Sequence, residues 1–155
     1  MSTLTVIALL FLSFGAQAAD GWGYHPDVYY DEMEQESSVF TGYLTGNGTW
    51  MITFNCDKQD SGVSSITLNI ADMSKKSYFS MGDTVILKVD DNAPMKIAFA
   101  GYKNMLMLKD PKYEIIRQFK EGNTLKIRVP GTLTTLEIPL AGFTKGIGPV
   151  LSLCG

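Results

Sequence analysis

The sequence has a single histidine, only two cysteines, and no lysine or arginine before Lys58. Each scarcity excludes something. With His25 as the one imidazole, most metal and acid–base sites lack a ligand or proton carrier. With no C-x-x-C spacing and no histidine placed to activate a thiol, the cysteines read as a structural pair before a redox or nucleophilic one. No G-x-S-x-G elbow is present, and no base is placed to serve a serine. A formal charge of -3 and a pI near 5.1 leave no cationic excess for a dedicated nucleic-acid binder. From Ala19 onward charges or turn residues interrupt every apolar run, so no segment reaches the roughly 20 residues of a membrane span. A length of 155 residues allows one domain.

What is present begins with an address. Residues 1–18 carry an apolar stretch from Leu4 to Phe14 and small residues at Ala16 and Ala18. That pattern reads as a secretory signal peptide cleaved before Ala19. Export implies an oxidising compartment, and two cysteines allow one connectivity. A Cys56–Cys154 disulfide is therefore expected.

Charge then divides the mature chain. Residues 1–57 hold seven acids and no base, whereas residues 58–155 hold 13 bases against 9 acids, a local excess of +4. Residues 19–48 read as an acidic, aromatic-rich arm. Its aromatics read first as packing back onto the domain while the acids stay solvated; the competing reading takes Trp22, Tyr24, Tyr29 and Tyr30 as candidate partner-binding anchors. His25 with Asp27 and Asp31 has no fixed metal geometry beside Pro26. Asn47-Gly48-Thr49 reads as a turn.

Residues 49–155 read as the folded body. Apolar residues alternate at Trp50/Ile52/Phe54, Ile66/Leu68/Ile70, Val85/Leu87/Val89 and Leu125/Ile127/Val129. A hairpin is expected around Gly101, and a further strand over 134–138. Turn chemistry separates these runs, with Asp90-Asp91-Asn92 reading as a turn and not a calcium loop. Asp110 as cap, Pro111 at the first position and Gly122 as stop predict a helix over about 111–121. Phe143, Ile147, Val150, Leu151 and Cys154 predict a short C-terminal helix delivering Cys154 to Cys56. The fold class is mainly β: an antiparallel β-sandwich or partly open barrel of about seven strands with those two helices.

Among surface residues, Lys88, Lys126 and Arg128 fall in the polar phase of their strands, with Lys96 a possible fourth. They read as a solvated face, or as a docking surface for the acidic arm, for an anionic envelope polymer or for a partner. Met95, Met105 and Met107 read as packing residues before a copper site. Asp72, Asp83, Glu114 and Glu137 are the carboxylates from which a catalytic pair would have to come.

The landmark order is Trp50 and Cys56, then Gly82-Asp83-Thr84-Val85 and Val89-Asp90-x-x-Ala93-Pro94, followed by Ile115-Ile116-x-x-Phe119-x-x-Gly122. It closes with Ile138-Pro139-Leu140-Ala141-Gly142-Phe143, Leu151 and Cys154. Over about residues 50–155 this resembles small exported proteobacterial proteins of the type VI secretion accessory kind (TagO/VasI-like), and it is similar to the invasion-associated locus B family. The resemblance implies a periplasmic β-sandwich with a supporting or virulence-associated role and no catalytic residues. The sequence thus predicts a periplasmic or secreted, non-enzymatic binding protein of the bacterial envelope, without cofactor or metal. Its expected partner is another envelope or secreted protein. Two alternatives are an inhibitor or immunity protein against a cell-wall hydrolase or toxin, and an envelope enzyme with a carboxylate site.

Overall fold

The alternating runs fold as strands of one sheet. A computed structural model describes residues 21–25, 37–58 and 64–154; the segment 1–18 read as a signal peptide lies outside these. The strands are β1 (Gly23–His25), β2 (Ser37–Leu44), β3 (Trp50–Lys58), β4 (Ser64–Asp72), β5 (Phe79–Val89), β6 (Met95–Lys103), β7 (Met105–Lys109), β8 (Thr124–Arg128) and β9 (Thr135–Pro139). Helix α1 (Tyr113–Glu121) lies between β7 and β8, and helix α2 (Phe143–Cys154) follows β9. Among the described residues the sheet is wholly antiparallel, in the order β1-β2-β3-β4-β7-β6-β5-β8-β9. The mainly β, antiparallel expectation holds, in its partly open barrel form.

The strand number exceeds the expected seven, because the segment read as an arm supplies β1 and β2. Strand β2 pairs with β3 along its full length, from Ser37 opposite Lys58 to Leu44 opposite Met51. Its Val39, Thr41 and Tyr43 are buried on the inner face. The sheet therefore starts well before Thr49, and the domain boundary expected at residue 48 falls in the β2–β3 turn. In that turn Gly48 adopts φ +71 and Asn47 Oδ1 accepts the Thr49 N–H at 3.0 Å.

Period 2 named the core correctly but for Ile66, which is only half-buried. Trp50, Ile52, Phe54, Leu68, Ile70, Val85, Leu87, Val89, Leu125, Ile127 and Val129 are all buried. Helix α1 adds Ile115, Ile116 and Phe119, and α2 adds Phe143, Ile147 and Val150. At the centre Phe54, Phe119 and Phe143 meet with centroids 5.3–5.7 Å apart, in the edge-on arrangement aromatic rings favour. Helix α2 sits close on β2 because Gly146 has no side chain; a Cβ there would lie 2.3 Å from Thr41 Oγ1. It brings Cys154 to Cys56, and the two form the expected disulfide with Cα atoms 5.8 Å apart.

Two local expectations are corrected. The β6–β7 hairpin turns at Lys103-Asn104, with Lys103 at φ +51, and not at Gly101. Gly101 lies inside β6, where a Cβ would come within 2.4 Å of the Ser80 carbonyl oxygen. It serves close backbone approach beside the β5 register shift. Asp110 does not cap α1. It has φ +49, its N–H bonds the Ile66 carbonyl at 2.7 Å, and Lys112 occupies the cap position without a side-chain bond. Gly122 does end the helix, its N–H donating to the Gln118 carbonyl at 2.9 Å.

Candidate functional site

Strand β5 lies between β6 and β8, so polar-phase residues far apart in sequence share one outer face. The register sets Lys88 opposite Lys126 and Ile86 opposite Arg128 on one side, and Ile86 opposite Lys96 on the other. These four cations surround a concavity of about 320 Å³ with Ile86 and Pro94 in its apolar lining. Lys88, Lys126 and Arg128, singled out in the sequence, are brought together, and Lys96 completes the set.

Like charges directly opposite on neighbouring strands destabilise a sheet, by a few tenths to about 1 kcal/mol. The compensation is small. Lys126 Nζ lies 3.2 Å from Glu137 Oε1, an exposed pair worth about 0–1 kcal/mol. Arg128 Nη2 donates to Thr135 Oγ1 at 3.3 Å. Lys88 and Lys96 have no carboxylate within ion-pair distance among the described residues. Among the described residues the face thus carries unneutralised charge around an apolar floor, which suits an anion bearing apolar groups.

The remaining candidates separate. Trp22, a candidate anchor read first as packing onto the domain, is only 6% exposed and belongs to the core. Its ring packs edge-on against Phe143 at 4.9 Å, because burial of so large an apolar ring outweighs exposure to a partner. Tyr24 lies in β1 opposite Thr41, while Tyr29 and Tyr30 fall outside the described residues. Met105 and Met107 share an outer groove of about 440 Å³ with Met51. Met95 packs against the core on the other face, so the three methionines read from the sequence do not converge.

The carboxylates each have their own work. The Asp90 carboxylate accepts the N–H groups of Asn123 and Thr124, both at 2.9 Å, and so is a turn residue as expected. Asp83 accepts the Ser80 N–H at 2.8 Å. Burial pushes the Asp72 carboxyl up, yet hydrogen bonds from Ser74 and Ser77 outweigh it and hold the group down at about 2. Hydrogen bonds from Arg117 and Gln118 likewise lower Glu114 to about 2. That surface helix pairing joins Arg117 to both Glu114 and Glu121.

The fold and site define a class: a single-sheet, partly open antiparallel barrel, filled by two helices, closed by one disulfide and carrying a cationic outer face. Among solved structures it is similar to the invasion-associated protein B of Bartonella henselae, with a TM-score of 0.51 and 11% identity over 85% of this chain and 92% of that one. That likeness concerns the fold, and it agrees with the locus B part of the resemblance. No protein-family model and no curated protein matches the chain. No helix among the described residues is long and apolar enough to cross a membrane.

Proposed function

We propose that this chain is an exported, non-catalytic binding protein of the bacterial envelope, in a virulence-associated accessory role. It holds an acidic protein partner on the Lys88, Lys96, Lys126 and Arg128 face. The observation that carries the reading is Lys88 directly opposite Lys126 with, among the described residues, one carboxylate, Glu137, to offset four cations. A sheet that keeps such a juxtaposition gives up stability, and a ligand supplying the missing negative charge explains why. The apolar lining from Ile86 and Pro94 favours an acidic peptide over a uniformly hydrophilic polyanion. Export rests on the 1–18 segment, and the Cys56–Cys154 bond supports it. The virulence-associated role rests on the name of the Bartonella protein and on the sequence resemblance.

The test is titration of the chain with a fluorescent acidic peptide at increasing salt. Saturable one-to-one binding, weakened by K88E/R128E and by salt, is expected. Binding unchanged by the double reversal would exclude this face.

A further inference from the structure

The sheet is split beside this cationic face. Strand β6 pairs with β5 from Met95 to Lys103, but with β7 only over Ala100–Tyr102. Beyond Met107, β7 stays on β4, with Leu108 opposite Leu68 and Lys109 opposite Thr67. The Asp110 N–H then bonds the Ile66 carbonyl at 2.7 Å, holding the chain on β4 as it leaves β6. Among the described residues, 95–99 therefore keep one backbone edge without a strand partner. A cavity of about 520 Å³ opens against that edge. Four consecutive residues, Met95 to Ala98, form one wall with Leu108 and Ile115 facing them, and Asp110, Lys112 and Glu114 complete the lining, Glu114 already paired with Arg117.

Consecutive residues line a cavity only where the strand presents its edge, so the backbone N–H and C=O groups of β6 border the space. Unpaired edges are templates for another strand. The free stretch spans roughly 16 Å at 3.3 Å per residue, enough for about five residues of an extended peptide. Met95, Ile97 and Leu108 are half-buried and packed against the core, so alternate side chains of an added strand would meet an apolar wall. The intervening positions would lie on the outer face, and Lys96 borders both this cavity and the cationic concavity.

We infer that the partner adds an extended segment, apolar and acidic in alternation, as an extra strand on the Met95–Phe99 edge of β6. The partner's acidity rests on the function proposed above; the strand addition rests on the unpaired edge alone. This is main-chain recognition with side-chain selection at alternate positions.

A suitable probe is the peptide acetyl-Val-Glu-Val-Asp-Val-Glu-amide, titrated into the full mature chain, with two analogues N-methylated at odd or at even positions. One methylation register removes hydrogen bonds to β6 and should weaken binding by about tenfold or more, from one or two lost backbone bonds; the other faces away and should change it by less than about twofold. The bound peptide should also slow exchange of alternate amides within 95–99. Equal effects of both registers, protection elsewhere, or no binding at millimolar peptide would overturn the inference. A dimer dissociated by the probe would assign the edge to a second copy of this chain and overturn a foreign partner. K88E/R128E separates the two proposals. If charge reversal weakens the probe while the registers are equivalent, strand addition fails and the cationic face stands. If the register effect persists and charge reversal does nothing, the outcome is the opposite.

Discussion

The Trp22 indole Nε1 donates to the Pro139 carbonyl oxygen at 3.0 Å, across 117 residues of sequence. The Trp22 backbone N–H also reaches the Ala141 carbonyl at 3.5 Å. Trp22 directly precedes β1 and Pro139 ends β9, so this residue ties together the two outer strands of the sheet. The ring meanwhile covers Phe143 and Phe54, where α2 fills the barrel. Of the two readings the sequence leaves for this aromatic, packing onto the domain is the one it takes.

Trp22→Phe should keep most of the ring contact and leave the Pro139 carbonyl unpaired, at about 1–3 kcal/mol. Trp22→Ala should cost about 3–5 kcal/mol. Denaturant midpoints check both, and deletion of residues 19–45 should lose the cooperative transition altogether. A deletion variant that melts like the intact chain would show that β1, β2 and Trp22 are dispensable.

The disulfide joins residues 98 apart. Closing so long a loop restricts the unfolded chain by about 4–5 kcal/mol in the chain-entropy view. Reduction, or C56A/C154A, should therefore lower the midpoint steeply while far-ultraviolet dichroism still shows a β protein. Thiol labelling of the unreduced, unfolded chain should find no free cysteine; two labels per chain would refute the bond.

Asp72 is 2% exposed and its carboxylate holds the turn through the Ser74 N–H at 2.9 Å and the Ser77 N–H at 2.8 Å. Its carboxyl titrates at about 2, below the ordinary 3.8. A depressed folded-state value favours the ionised form, so the stabilisation is complete above about 3.8 and is lost as pH falls towards 2. Its size is about 2 kcal/mol, at about 1.4 kcal/mol per unit. Asp72→Asn should lose a similar amount at pH 7 and flatten the acid limb of the stability curve between pH 4 and 2. An unchanged acid limb would remove Asp72 as its source.

Much of the fold was legible because burial in a sheet follows period 2, and the runs at Trp50, Leu68, Val85 and Leu125 keep it strictly. Ser37–Leu44 alternates too, with Val39, Thr41 and Tyr43 inward, but Gly42 and the neighbouring acids disguised it. Gly101 and Asp110 misled because a glycine suits a turn and an aspartate suits a cap, whereas long-range contacts with Ser80 and Ile66 decide both positions. The site was half legible. Polar phase marked Lys88, Lys126 and Arg128, but only the non-sequential order β6-β5-β8 makes them neighbours. The role of Trp22 depends on partners more than a hundred residues away, and local pattern carries no trace of that.

The central claim is that the cationic face is kept for binding at some cost to stability, and Lys88→Glu tests it in one variant. Placed opposite Lys126, the new carboxylate turns a repulsive cross-strand pair into an attractive one, worth up to about 1 kcal/mol. We predict that thermal stability rises while affinity for an acidic peptide falls by about tenfold, measured on the same preparation. A variant that is less stable, or that binds the peptide as tightly as the parent, would contradict the account.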